Sequence, residues 1–226
     1  MATYNLRALA DDTHAAAQVI AAIRPDVVLL QEIPRGPRSA YRMKTFARLC
    51  QMWWPGRTRA VSGTSLLLGP RADLVGRRDR ALPVEFLGNP RTYSLATVRV
   101  DHTVDVVVAS IHLPLRPEQR LQHVGQILAE MTVDRACEGL PWVIGGDLNE
   151  EAGAPAWHQL SHHVPLASSS NRPTFPAAAP QRAIDAIFAT GFAQVRAMDP
   201  EQSVEVPERL LVAATDHRPV WVDLVI

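Results

Sequence analysis

Val104-Asp105-Val106-Val107-Val108-Ala109-Ser110-Ile111-His112 decides the architecture. Apart from Asp105, Val104 to Val108 is apolar toward both faces, and so is Val27-Val28-Leu29-Leu30. Side chains on a strand alternate, so such strands need a cover on each side. Just upstream, Tyr93 to Val100 is separated from Val104 to Ile111 by only Asp101-His102-Thr103, the pattern of an antiparallel hairpin. Ser65-Leu66-Leu67-Leu68, Trp142-Val143-Ile144, Ile184 to Ala189 and Val220 to Ile226 also read as strands. Helical spacing covers Asp12 to Ile23, capped by Asp11 or Asp12, then Ser39 to Gln51, and Pro117 to Arg135 with proline in the first turn. The order predicts an α/β protein, β dominant, with two sheets stacked face to face and helices outside.

A chain of 226 residues, 47% of them hydrophobic, suffices for one large core, so residues 1–226 are expected to form a single domain. Lysine plus arginine and aspartate plus glutamate balance at 23 each, which excludes a global positive field for gathering nucleic acid but leaves room for local patches. Cys50 and Cys137 stand far apart, so neither a disulfide framework nor a cysteine metal site is indicated, and a reducing compartment fits. The N-terminal Met1 to Arg7 has no signal-peptide pattern and no run of apolar residues is long enough to span a bilayer. A soluble cytoplasmic protein, with no membrane partner, is the expectation. The Pro- and Ser-rich stretch from Pro165 to Pro180 reads as a long loop near the site.

Six strand ends carry a polar group that a buried strand does not otherwise need. They are Asn5 after Ala2-Thr3-Tyr4, Glu32 after Val27 to Gln31, His112 after Val106 to Ile111, Asp147 and Asn149 after Trp142 to Gly146, Asp185 within Ala183 to Phe188, and Asp216-His217 before Val220. A lone glutamate or histidine at such a place is ordinarily a solvated or structural group. Repetition across six strand ends shifts the reading to a site held on rigid backbone. Carboxylates and amides without thiols suit Mg²⁺ or Mn²⁺ more than zinc. Such an ion at phosphate, with histidines to manage protons, points to hydrolysis of a phosphate ester.

Thr3-Tyr4-Asn5-Leu6-Arg7, Val28-Leu29-Leu30-Gln31-Glu32, Ser110-Ile111-His112-Leu113, Gly146-Asp147-Leu148-Asn149, Ile184-Asp185-Ala186-Ile187-Phe188 and Thr215-Asp216-His217-Arg218-Pro219-Val220 follow one another in this order. In these blocks the chain resembles the endonuclease/exonuclease/phosphatase (DNase I-like) superfamily over nearly its whole length. The resemblance implies a four-layer α/β sandwich, two stacked, largely antiparallel sheets flanked by helices, with the site at one edge. It also implies roles. Glu32 is the principal metal ligand, with Asn5 beside it and Asp216 completing the shell. Asp147 and Asn149 orient the attacking water and the phosphate, His217 is general base or phosphate clamp oriented by Asp185, and His112 stands on the opposite side of the phosphate. Two departures stand out: Gly63-Thr64-Ser65-Leu66-Leu67-Leu68 offers no carboxylate to support His112, and Ala183 precedes Ile184-Asp185 where relatives often have arginine.

Thr174 matches a family segment that brings a hydroxyl near the phosphate, or is simply a turn residue between Pro173 and Pro176. Arg35, Arg38 and Arg42 are candidates for the rim of an anionic site, or plain solvated charges. Arg71, Arg77, Arg78 and Arg80 with Asp73 and Asp79 read as an exposed strand pair. His158, His162 and His163 read as loop residues, and Trp53-Trp54-Pro55 as a core-capping turn. The sequence favours a Mg²⁺- or Mn²⁺-dependent phosphoesterase acting on a small phosphodiester or phosphomonoester over duplex nucleic acid. A nuclease, the fold turned to non-phosphate or biosynthetic chemistry, and a non-catalytic binding module are the alternatives. Substrate identity, metal count and oligomeric state are not written in the sequence.

Overall fold

A computed structural model of the chain describes residues 1–83, 90–198 and 206–226. Strand β2 (Val27–Gln31) explains its own apolar run. Val28 and Leu30 pack on one side with Val19 and Ile20 of α1 (Thr13–Ile23) and Met43 and Phe46 of α2 (Ser39–Leu49). Val27 and Leu29 turn the other way, toward Val98, Val106, Val108 and Val143 of the opposite sheet. Burying a side chain of this size stabilises by about 1.5–3 kcal/mol, so both faces of β2 are fixed by apolar packing.

One five-stranded sheet runs β3 (Ser65–Leu68), β2, β1 (Ala2–Asn5), β10 (Val220–Val225), β9 (Gln194–Ala197). The other runs β4 (Ala72–Leu82), β5 (Arg91–Val100), β6 (Val104–His112), β7 (Trp142–Asp147), β8 (Asp185–Thr190). Each is mixed, with a single parallel pair, β1 with β2 and β6 with β7. The expected hairpin is β5 and β6, antiparallel from Ser94 opposite Ser110 to Val100 opposite Val104. Helices α1, α2 and α5 (Glu208–Ala214) cover the first sheet, while α3 (Pro117–Val133) and α4 (Pro155–His163) cover the second, giving the α/β sandwich in four layers.

Local chemistry sets the helix starts. The Asp12 carboxylate accepts from the backbone N–H groups of His14 and Ala15, at 2.9 and 3.0 Å, and so caps α1. Proline stands in the first turn of both α3 and α4, where its missing N–H is no loss. The structure corrects several expectations. His158, His162 and His163 lie on α4, a helix and not a loop. Arg77, Arg78 and Arg80 with Asp73 and Asp79 lie on one long strand, β4, bulged between Leu74 and Gly76, with Arg71 in the turn before it, and Arg77 and Asp79 are buried as an ion pair at 2.9 Å. Strand β9 and helix α5 were not expected. Trp54 does cap the core, its indole N–H donating to Ser65 Oγ at 2.7 Å.

Register places the site. His112 pairs with Asp147 and Asp147 with Asp185, making one lateral row across β6, β7 and β8. Alternation turns all three into the space between the sheets, His112 and Asp147 four residues after Val108 and Val143, and Asp185 two residues before Ile187. Asn5 lies opposite Gln31 at the matching edge of the first sheet. Gly145 permits this close approach, because a Cβ there would stand 2.9 Å from Leu29 Cδ1, and at Gly146 a Cβ would overlap the Ile111 carbonyl. Among the described residues no helix is long and apolar enough to cross a membrane.

Candidate active site

A polar floor lies beneath the site. Gln31 Nε2 donates to Ser110 Oγ at 3.0 Å and to Thr3 Oγ1 at 3.1 Å, and Ser110 Oγ donates to the Leu30 carbonyl at 2.8 Å. All three side chains are buried, so this network ties the sheets together just where the apolar interior ends. Above it, two residues sit in left-handed backbone, Glu32 at φ 48° and Asn149 at φ 53°. Strain of this kind costs on the order of 1–3 kcal/mol and persists where the surroundings fix it. The Glu32 carbonyl accepts from Ala8 N at 2.7 Å, within a tight turn in which Arg7, Ala8 and Leu9 also have positive φ.

One oxygen is the centre of the cluster. Asp147 Oδ2 accepts from Asn5 Nδ2 at 3.0 Å and lies 3.5 Å from His112 Nε2 and 3.7 Å from His217 Nε2. Its other oxygen accepts from Asn149 N at 2.9 Å, and Asn149 Nδ2 donates to the Leu113 carbonyl at 2.8 Å. Asn5 Nδ2 also donates to Glu32 Oε1 at 3.2 Å, so one amide bridges two carboxylates. Burial pushes Asp147 above the ordinary carboxylate range; His112 and His217 oppose the shift and Asp185 adds to it.

On the far side, His217 Nδ1 bonds Asp185 Oδ2 at 2.8 Å, and the Thr174 hydroxyl donates to the same oxygen at 2.6 Å. Burial alone would lower His217. The Asp185 charge and hydrogen bond, helped by Asp147 and Asp216, outweigh it and raise the imidazole to about 9. At neutral pH His217 is therefore an imidazolium, with Nδ1–H on Asp185 and Nε2–H toward Asp147. The Phe175 ring packs on the imidazole, centroids 4.9 Å apart. Among the described residues Asp185 Oδ1 is buried without a hydrogen-bond partner.

His112 behaves oppositely. Burial, with Arg91, His217 and Arg35 as neighbouring positive charges, pushes it down to about 4 against the pull of Asp147. Its Nδ1 lies 3.4 Å from Arg91 Nη1, a group that only donates. The ring is thus neutral with its proton on Nε2, facing Asp147 and, at 3.9 Å, Glu32 Oε1.

Asn5, Glu32, His112, Asp147, Asn149, Asp185 and His217 converge as the sequence suggested. Asp216 stands apart: its carboxylate lies 3.5 Å from Arg7 Nε and enters neither close acid–histidine group. Thr174 is brought to Asp185, where it orients the acid. Arg35 lies near His112, whereas Arg38 is exposed at the head of α2 and enters none of these contacts. At the departure expected before Ile184, Ala183 N donates to Glu151 Oε1 at 3.4 Å, and Arg182 lies 3.9 Å from Glu151 Oε2. Arg91 was missed, since an arginine opening a strand gives no signal of its own.

The donor set fits a hard divalent cation. Glu32, His112 and Asp147 present ligand atoms within 4.8 Å of one another, as do Asp147, Asp185 and His217. The Glu32 side chain is 42% exposed, which leaves room for water and substrate around an ion.

The layered fold, with its edge cluster of acids, amides and two oppositely tuned histidines, is an α/β sandwich with a polar site at one edge of the stacked sheets. The chain belongs to the endonuclease/exonuclease/phosphatase family, whose model matches residues 2–217. Among curated proteins none matches the chain. Solved structures with the same fold include the endonuclease/exonuclease/phosphatase of Bacteroides vulgatus, 18% identical, TM-score 0.75, over 99% of this chain and 97% of that one. The mannosyl-6-phosphatase of Bacteroides thetaiotaomicron is 18% identical, TM-score 0.73, over 100% and 98%. Truncated Caenorhabditis elegans TDP2 is 16% identical, TM-score 0.68, over 100% and 96%.

Proposed function

We propose that the chain is a Mg²⁺- or Mn²⁺-dependent hydrolase of small phosphate esters, in which water attacks phosphorus in line. The observation that carries this reading is Asp147 Oδ2, hydrogen-bonded to Asn5 and flanked by Nε2 of both His112 and His217. Glu32, with Asn5 beside it, would hold the cation, which would supply charge neutralisation at the phosphoryl oxygens. His217, held as imidazolium by Asp185, donates from Nε2 to a non-bridging oxygen and stabilises the charge of the transition state. Asp147, its basicity raised by burial, takes the proton of the attacking water, which Asn149 helps to orient. His112, neutral with Nε2–H, donates a hydrogen bond to the phosphate from the opposite side.

A small ester is favoured over duplex nucleic acid because the chain carries no net charge. The B. thetaiotaomicron mannosyl-6-phosphatase, with the same fold, supports the small-molecule reading. Phosphomonoesters, phosphodiesters, single strands and duplex DNA, each assayed with Mg²⁺ and Mn²⁺, would test it. The expected result is hydrolysis of small esters, reduced by roughly 10²-fold or more in kcat in His217→Ala and Asp147→Asn. Preference for duplex DNA would establish the nuclease alternative, and variants as active as the native protein would remove the mechanism.

A further inference from the structure

Arg91 stands at Nδ1 of His112, on the opposite edge of the ring from the Nε2 that faces Asp147. Arg35 acts on the same imidazole, and on Arg91, as a neighbouring positive charge. Both are carried on segments tied to one another. Ile33 N donates to the Gly63 carbonyl at 3.0 Å, and Gly63 N donates to Oγ1 of Thr92, the residue after Arg91, at 3.2 Å. Arg57 Nη2 holds the Pro34 carbonyl at 3.1 Å and so fixes the loop bearing Arg35. The guanidinium of Arg35 lies where a Cβ on Gly63 would have to stand, so the bare glycine makes its seat.

Among the described residues neither Arg35 nor Arg91 has a carboxylate partner, although Arg91 is half-buried. By contrast Arg77, Arg78, Arg99 and Arg120 each pair with an acid. Glu32 and Asp147 act on Arg91 as opposite charges without pairing with it directly, so the two neighbouring guanidiniums keep free N–H donors and still repel each other, and an anion between them turns that repulsion into attraction. The planar guanidinium fork suits the paired oxygens that phosphate and carboxylate present. The cluster around Asp147 already accounts for the scissile phosphate, and Arg91 is separated from it by the width of the His112 ring.

We propose that Arg35 and Arg91 form a subsite for a second anionic group of the substrate, a phosphate or carboxylate carried beyond the scissile ester on the His112 side. This rests on the hydrolase reading above and narrows it: the preferred substrate is a small ester bearing two anions. Arg35 and Arg91 set specificity, and Gly63 positions Arg35.

The test uses matched esters that differ only in a remote group, which is phosphate, carboxylate or neutral hydroxyl. The native protein should have higher kcat/KM for the anionic members, the two anionic arms telling phosphate from carboxylate. The ratio of anionic to neutral kcat/KM should fall roughly tenfold or more in Arg35→Ala and Arg91→Ala. Arg91→Lys should recover part of it. Gly63→Ala, which displaces the Arg35 guanidinium without removing a charge, should lower it in the same direction. An unchanged ratio across these variants overturns the proposal. Binding is read separately by calorimetry with inorganic pyrophosphate and chelator present. Weaker binding to the Arg35→Ala/Arg91→Ala protein is expected whether or not any ester turns over, and equal binding overturns the subsite. Failure of every ester to turn over, with that binding difference intact, counts against the hydrolase reading instead.

Discussion

Asp185 and His217 meet at 2.8 Å although 32 residues separate them, and the consequence is a histidine charged where histidines are usually neutral. A folded-state value raised from 6.5 to about 9 contributes stability fully below about pH 6.5 and loses it as pH rises through 9. In chelator, the stability advantage of the native protein over His217→Gln should therefore shrink across that window, measured by urea unfolding. Activity should have an alkaline limb from the same group, displaced to lower pH in Asp185→Asn; an unmoved limb would dissociate the pair from catalysis. The pairing was expected only through the family resemblance of the blocks that carry Asp185 and His217; strand pattern and spacing did not announce it. The place of Asp216 was not legible: its neighbour His217 suggested a shared site, but its carboxylate lies 3.5 Å from Arg7 Nε, a partner far away in the sequence that no spacing announces. Arg91 was illegible for a related reason. Its meaning comes from lying beside His112 on the neighbouring strand, a contact set by register and not by spacing.

At the level of elements, β4 carries the clearest lesson. Alternating Arg and Asp residues read as a solvated surface, but Asp79 is buried and accepts from Thr58 N at 2.6 Å, Arg59 N at 3.2 Å, Ser94 Oγ at 2.6 Å and Arg77 Nη2 at 2.9 Å. Burial raises its carboxyl, and Arg77 with the hydrogen bonds from Ser94 and Thr58 outweighs that and holds it below the ordinary value. A depressed value contributes stability above about pH 3.8 that is lost as pH falls through the folded value. Asp79→Asn should cost about 1–3 kcal/mol at pH 7, and the difference should narrow toward pH 3; a flat difference would deny the linkage. Charge pattern alone does not reveal such a hub, since its donors come from a loop and two strands. Similarly, α4 begins at Pro155 and is too short for its period to stand out against Trp157 and three histidines. The double-faced runs of β2 and β6, by contrast, predicted the stacked sheets, because only a cover on each side explains them.

For the molecule as a whole, two sheets held by apolar packing converge on an edge where Glu32, Asp147 and Asp185 crowd together. The crowding opposes folding until a cation is bound, so metal binding should appear as stability. Millimolar Mg²⁺ should raise the melting temperature by several degrees, since saturation at about 100 Kd contributes about 2.7 kcal/mol. Glu32→Gln should abolish most of that rise. The most direct measurement follows hydrolysis of the best small ester as Mg²⁺ is titrated into chelator-stripped protein, native and Glu32→Gln. The site described above predicts saturable activation of the native protein and, for Glu32→Gln, loss of roughly 10²-fold or more in kcat/KM. Undiminished turnover in chelator, or a Glu32→Gln curve superimposed on the native one, would contradict it.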